Sequence, residues 1–85
     1  LYCRSPFRGI DYFAAMPVDQ QDAVGVLVRH LCDRFAIPRI ASPQARNGEY
    51  DAAAFENYAG VATHSNFRRD KWDVGPAFHW DRLGF

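Results

Sequence analysis

The chemically capable side chains of this 85-residue chain crowd into one stretch, residues 63–80. His64 offers a ring nitrogen that can bind a metal, and Asp73, reached after a loop, offers a carboxylate. Lys71 places a cation two residues before Asp73. A His and a carboxylate on converging loops suit zinc, which takes N and O donors at about 2.0–2.2 Å. In extended backbone, positions 71 and 73 share one side. Lys71 would then stand beside such a metal, where it could stabilise negative charge growing on a substrate oxygen. A single His and a single Asp also serve as surface groups or local caps, and spacing alone leaves both readings open.

The elements that must hold these residues are read from the rest of the chain. The clearest is a helix over 17–35. Pro17 fits its first turn, Asp19 and Asp22 complement its dipole, and Pro38 ends the pattern. Val24, Leu27, Val28, Leu31 and Phe35 recur at three- and four-residue spacing and predict one inward-facing apolar stripe. Arg29, His30, Asp33 and Arg34 populate the other side, with His30 read as a surface residue. Gly25 weakens the helix by about 1 kcal/mol relative to Ala, which suggests close approach by a neighbouring element. Near the N-terminus, Gly9 permits a turn and Ile10 to Phe13 suit a short strand. Residues 38–50 read as loop. Residues 51–58 predict a short helix with Asp51 as N-cap, and 60–63 a short buried strand running into His64. Residues 65–76 read as loop, and Pro76 opens a terminal helix reaching Leu83.

Composition sets outer limits. Hydrophobic residues make up 48% of the chain and aromatics 15%, a globular balance. The formal net charge is zero, without the basic excess of a nucleic-acid binder. Arg68, Arg69 and Lys71 form the one tight basic cluster, read as a solvated loop. No apolar run approaches the roughly 18 residues of a membrane helix. The start lacks an initiator Met, so the expectation is one partial domain from within a longer product. Cys3 and Cys32 form no CxxC pair. A buried free thiol at Cys32 is the plain expectation, and a Cys3–Cys32 disulfide the alternative.

The run His64-Ser65-Asn66-Phe67, followed by Lys71-Trp72-Asp73-Val74-Gly75-Pro76-Ala77-Phe78-His79-Trp80, resembles the C-terminal motif of the type-2 N-acetylmuramoyl-L-alanine amidases, bacterial relatives of the peptidoglycan recognition proteins. The family pattern is a His, a short loop, then Lys-x-Asp-Pro-Gly-Pro-x-Phe and usually Asp-Trp. Gln20-Gln21 and the segment from Phe35 to Arg39 also resemble the family's helix and following loop. The resemblance covers residues 17–83.

It implies a mixed α/β (α+β) fold with a central sheet flanked by helices, of which residues 1–85 are the later part. It makes His64 and Asp73 zinc ligands and Lys71 the cation that steadies the tetrahedral intermediate. Gly75 and Pro76 shape the turn that delivers Asp73. Two positions depart from the pattern: Val74 stands for the usual proline and His79 for the usual Asp. His79 is read as a surface residue, with approach to the metal as the alternative. The family's other ligand, a His, and its catalytic Glu fall on earlier strands; neither His30 nor His79, nor Glu49 nor Glu56, occupies such a place. The implied activity is hydrolysis of the amide between N-acetylmuramic acid and L-alanine in peptidoglycan or muropeptides. The rival is a non-catalytic peptidoglycan-binding module of the same fold.

Overall fold

A computed structural model describes residues 2–85, the Cys3 side chain excepted. The class is mixed α+β: a two-stranded antiparallel sheet followed by three helices and a terminal 3-10 helix. Strand β1, Tyr2–Phe7, pairs with β2, Ile10–Ala14. Arg8 and Gly9 make the turn with φ of 52° and 80°, the left-handed pair that suits a two-residue hairpin. The strand at Ile10 was expected from sequence; β1 was not.

Helix α1 spans Val18–Phe35, with Pro17 as N-cap and Ala36 closing it in a left-handed conformation. Its bounds match the sequence reading, but its buried face does not. Gln21, Gly25 and Cys32 are buried, while Val24, Leu27, Leu31 and Phe35 are exposed, Phe35 at 64%. At 3.6 residues per turn the two stripes lie about 90° apart around the helix. The reason is the packing partner. Helix α1 rests on the 3-10 helix Trp80–Leu83, and the contact runs through Gly25. Only Val28 of the predicted stripe packs against the core, which gathers Ala41, Phe78, Trp80 and Leu83. Arg29, expected on the polar side, donates to the Leu83 carbonyl at 2.7 Å.

Several other segments differ from expectation. Residues 51–58 form successive turns rather than a helix, although Asp51 Oδ1 does cap the Ala54 N–H at 3.1 Å. Tyr58 explains the interruption, since its hydroxyl accepts from the Ser42 N–H and reaches the Val61 carbonyl. An eight-residue helix gains too little by itself to resist such tertiary demands. Residues 60–63 form no strand, and the Val61 N–H bonds to the Ile40 carbonyl at 2.7 Å. The terminal helix begins at Trp80 rather than Pro76, because the His79 N–H is donated to Gln21 Oε1 instead of to a helical carbonyl. Short helices α2, Pro43–Arg46, and α3, His64–Phe67, lie in stretches read from sequence as loop; each is a single turn started by a side-chain cap, Ser42 Oγ accepting the Ala45 N–H and Asn66 Oδ1 the Thr63 N–H. Cys32 is buried and free; the Cys3 side of the alternative pairing lies outside the described residues. No described helix is long and apolar enough to cross a membrane.

Candidate functional site

His64 is the first residue of α3, and its position is fixed by the residues around it. Asn66, fully buried, folds back so that its Oδ1 accepts the Thr63 N–H at 2.7 Å. This is the reach-back half of a capping box, which satisfies an otherwise orphaned donor at a helix start. Asn66 Nδ2 donates to the Glu49 carbonyl at 2.7 Å, tying α3 to the segment after α2. Ser65 and Thr63 share a buried hydroxyl contact of 2.9 Å. A single helical turn is unstable alone, so this buried polar network holds the backbone that carries His64.

Asp73 returns to α3 through a short backbone clamp, the Ser65 N–H donating to the Asp73 carbonyl at 3.2 Å. Gly75 follows with φ of 84°, a conformation that favours glycine. Val74 packs against the core cluster. On the other side Trp72 meets Phe7 edge-on at 5.9 Å, so the hairpin supports the loop. Arg8 strengthens that support by donating one Nη to the carbonyls of Arg69 and Lys71, at 3.0 and 2.6 Å.

The result brings His64 Nδ1 to 3.6 Å from Asp73 Oδ2, both groups partly open to solvent. Two donors on one tetrahedral zinc, each bonded at about 2.0–2.1 Å, stand about 3.3 Å apart. The pair therefore fits two positions of such a shell. It does not complete one: among the described residues no third His, Cys, Asp or Glu joins the pair. The pair lies on a cleft of about 370 Å³ whose walls are mainly apolar, including Met16, Val28, Val61 and Trp80. The buried Trp80 indole N–H has no partner among the described residues.

Lys71 lines neither this cleft nor the larger one beside it. His79 is exposed and outside the cleft, and His30 is exposed on α1. Arg68 forks onto Asp70 with two 3.0 Å bonds, and these hold the Asp70 carboxyl below the usual carboxylate range. The tight basic cluster is thus partly neutralised within its own loop. Sequence reasoning missed Gln21, whose amide spans the Met16 carbonyl and the His79 N–H. It also gave no role to Arg8 and Arg46 and read Arg69 as part of a solvated basic cluster, whereas all three line the larger cleft. They are too far apart in the chain to make a motif.

Comparison with protein-family models, with curated proteins and with solved structures returns no match.

Proposed function

We propose that this chain carries part of the zinc centre of an N-acetylmuramoyl-L-alanine amidase, with His64 and Asp73 as two ligands. The observation that supports the reading is their 3.6 Å approach at the mouth of an apolar cleft, together with the motif from His64 to Trp80 that resembles the type-2 amidases. A metal there would supply an acidified water and polarise the scissile carbonyl. The chain's own residues do the rest. His64 and Asp73 hold their donors through the Asn66 network and the Ser65–Asp73 clamp. The apolar walls offer a surface against which the non-polar parts of a substrate can pack. Lys71 is assigned to the oxyanion, which requires its flexible stem to swing toward the cleft mouth. The substrate is the amide between N-acetylmuramic acid and L-alanine, in peptidoglycan or in muropeptides. The third ligand and the carboxylate base come from outside the described residues.

The second reading is a peptidoglycan-binding module of the same fold that does not cut; the presence of both Asp73 and Lys71 favours the enzyme over it. Hydrolysis of a muramyl peptide by a zinc-bearing protein containing this chain separates the two, and zinc titration of the chain and its variants tests the ligand assignment. One zinc should bind weakly to the unaltered chain and to Trp72→Phe, whose ring packs on the hairpin. His64→Ala and Asp73→Ala should each lose it. Full zinc retained by a folded Asp73→Ala variant would remove the ligand assignment.

A further inference from the structure

Arg8 occupies the hairpin turn with φ of 52°. A left-handed conformation is uncommon for residues other than glycine, and a two-residue turn of this kind favours Asn or Asp before its Gly. An arginine there works against the local preference of the turn, and its contacts show what the position gains in exchange. One nitrogen, Nη1, donates to the carbonyls of both Arg69 and Lys71. The guanidinium carbon lies 5.0 Å from the centre of the Phe7 ring and 5.3 Å from that of Trp72, within reach of the attraction between a cation and an aromatic face. Phe7 is itself seated against Gly48, where an added Cβ would meet its ring at 3.4 Å. Arg8 enters no ion pair among the described residues, so its charge is directed at the loop.

That loop carries Asp73. The Ser65 N–H holds it at the Asp73 carbonyl, and Arg8 holds the two carbonyls just before, the nearer one two residues from the carboxylate that stands 3.6 Å from His64. A carboxylate inherits its place from the backbone beneath it. Groups that orient metal ligands from outside the coordination shell typically carry about 10–100-fold in metal affinity.

We propose that Arg8 is the positioning residue for Asp73, a latch by which the hairpin turn keeps the loop where His64 and Asp73 can share one metal. The consequence for zinc rests on the amidase reading; the hold on the loop does not.

Two variants test it. Arg8→Asn gives the turn its favoured Asn-Gly pair and removes the latch, whereas Arg8→Lys keeps a charged nitrogen with three donors. Trypsin cuts after Arg69 and Lys71, the residues whose carbonyls Arg8 holds, and cutting there follows the population of the open loop. In the zinc-free chain, Arg8→Asn should be cut at those two bonds about tenfold faster than the unaltered chain, the worth of one charge-assisted hydrogen bond. Cutting after Arg34 of α1 should not change. Equal rates at the loop overturn the proposal, and so does an equal rise after Arg34, which would mean that the whole fold had loosened. Arg8→Asn should also bind zinc about tenfold more weakly, with most of the loss recovered in Arg8→Lys. Undiminished zinc binding by Arg8→Asn overturns the positioning of Asp73. Coupling is reciprocal, so saturating zinc should slow cutting after Lys71 in the unaltered chain; its failure to do so overturns the proposal without any variant. If the unaltered chain binds no zinc, the amidase reading falls, and the trypsin comparison still decides whether Arg8 holds the loop.

Discussion

Gln21 Oε1 accepts the His79 backbone N–H at 2.7 Å, joining the first turn of α1 to the start of the terminal 3-10 helix. The other end of the same amide donates to the Met16 carbonyl at 3.0 Å, so one buried side chain fixes the entry to α1 and the exit from the motif loop together. Gln21→Leu keeps the volume but leaves two backbone groups without partners. A buried unsatisfied group costs about 1–3 kcal/mol, so the variant should lose about 2–4 kcal/mol in urea unfolding. A loss below about 0.5 kcal/mol would mean that water reaches both groups.

Gly25 illustrates how backbone approach outweighs helix propensity. A Cβ there would stand 2.7 Å from the Arg82 carbonyl oxygen, a backbone atom that cannot swing aside. Alanine favours the helix by about 1 kcal/mol, but the clash with the 3-10 helix should cost about 1–3 kcal/mol. Gly25→Ala is expected to lower the melting temperature while far-UV dichroism shows the helix retained. A rise in melting temperature would show that α1 and Arg82 stand further apart.

Asn66 gives the clearest link between stability and the site. Its side chain bonds to the Thr63 N–H and the Glu49 carbonyl from a fully buried position. Asn66→Ala should cost about 2–4 kcal/mol by stranding both groups. Because Thr63 caps the turn that begins with His64, the folded fraction should also bind zinc more weakly. Unchanged zinc affinity in a destabilised but folded variant would separate the Asn66 network from the proposed His64–Asp73 ligand pair.

The parts of the fold legible in sequence were those written in local rules. Glycine at position 9 marked a turn, though not the hairpin it closes, proline on either side marked the limits of α1, and Gly25 marked a close contact. A loop long enough to return allowed His64 and Asp73 to meet, but spacing alone did not require it; the resemblance singled them out as a pair. What was not legible depended on tertiary choice. The apolar periodicity of α1 located a stripe, but the neighbouring element packed on a face about 90° away, where Gly25 let it come close. The 51–58 segment had helical composition, yet the three-way bonding of the Tyr58 hydroxyl set its course. The arginines of the larger cleft come from the hairpin, α2 and the motif loop, and no spacing rule connects positions 8, 46 and 69.

Lys71 presents the sharpest contrast of outcomes. It sits two residues before Asp73, and its backbone carbonyl is held by Arg8 at 2.6 Å, so its starting point is fixed relative to the loop that carries Asp73. Its side chain lines neither cleft in this conformation. A lysine ammonium has no lone pair to donate, so Lys71→Ala should leave zinc binding intact. The backbone carbonyl that Arg8 holds survives the substitution, and the loop should keep its place. In an active amidase containing this chain, removal of one oxyanion-stabilising group costs about 10²–10³ in kcat, or roughly 3–4 kcal/mol. A solvated loop lysine would cost well under about 1 kcal/mol. Steady-state kinetics on the variant, with zinc content measured alongside, distinguishes these by orders of magnitude. A kcat within about threefold of the unaltered enzyme at full zinc occupancy would remove Lys71 from the mechanism.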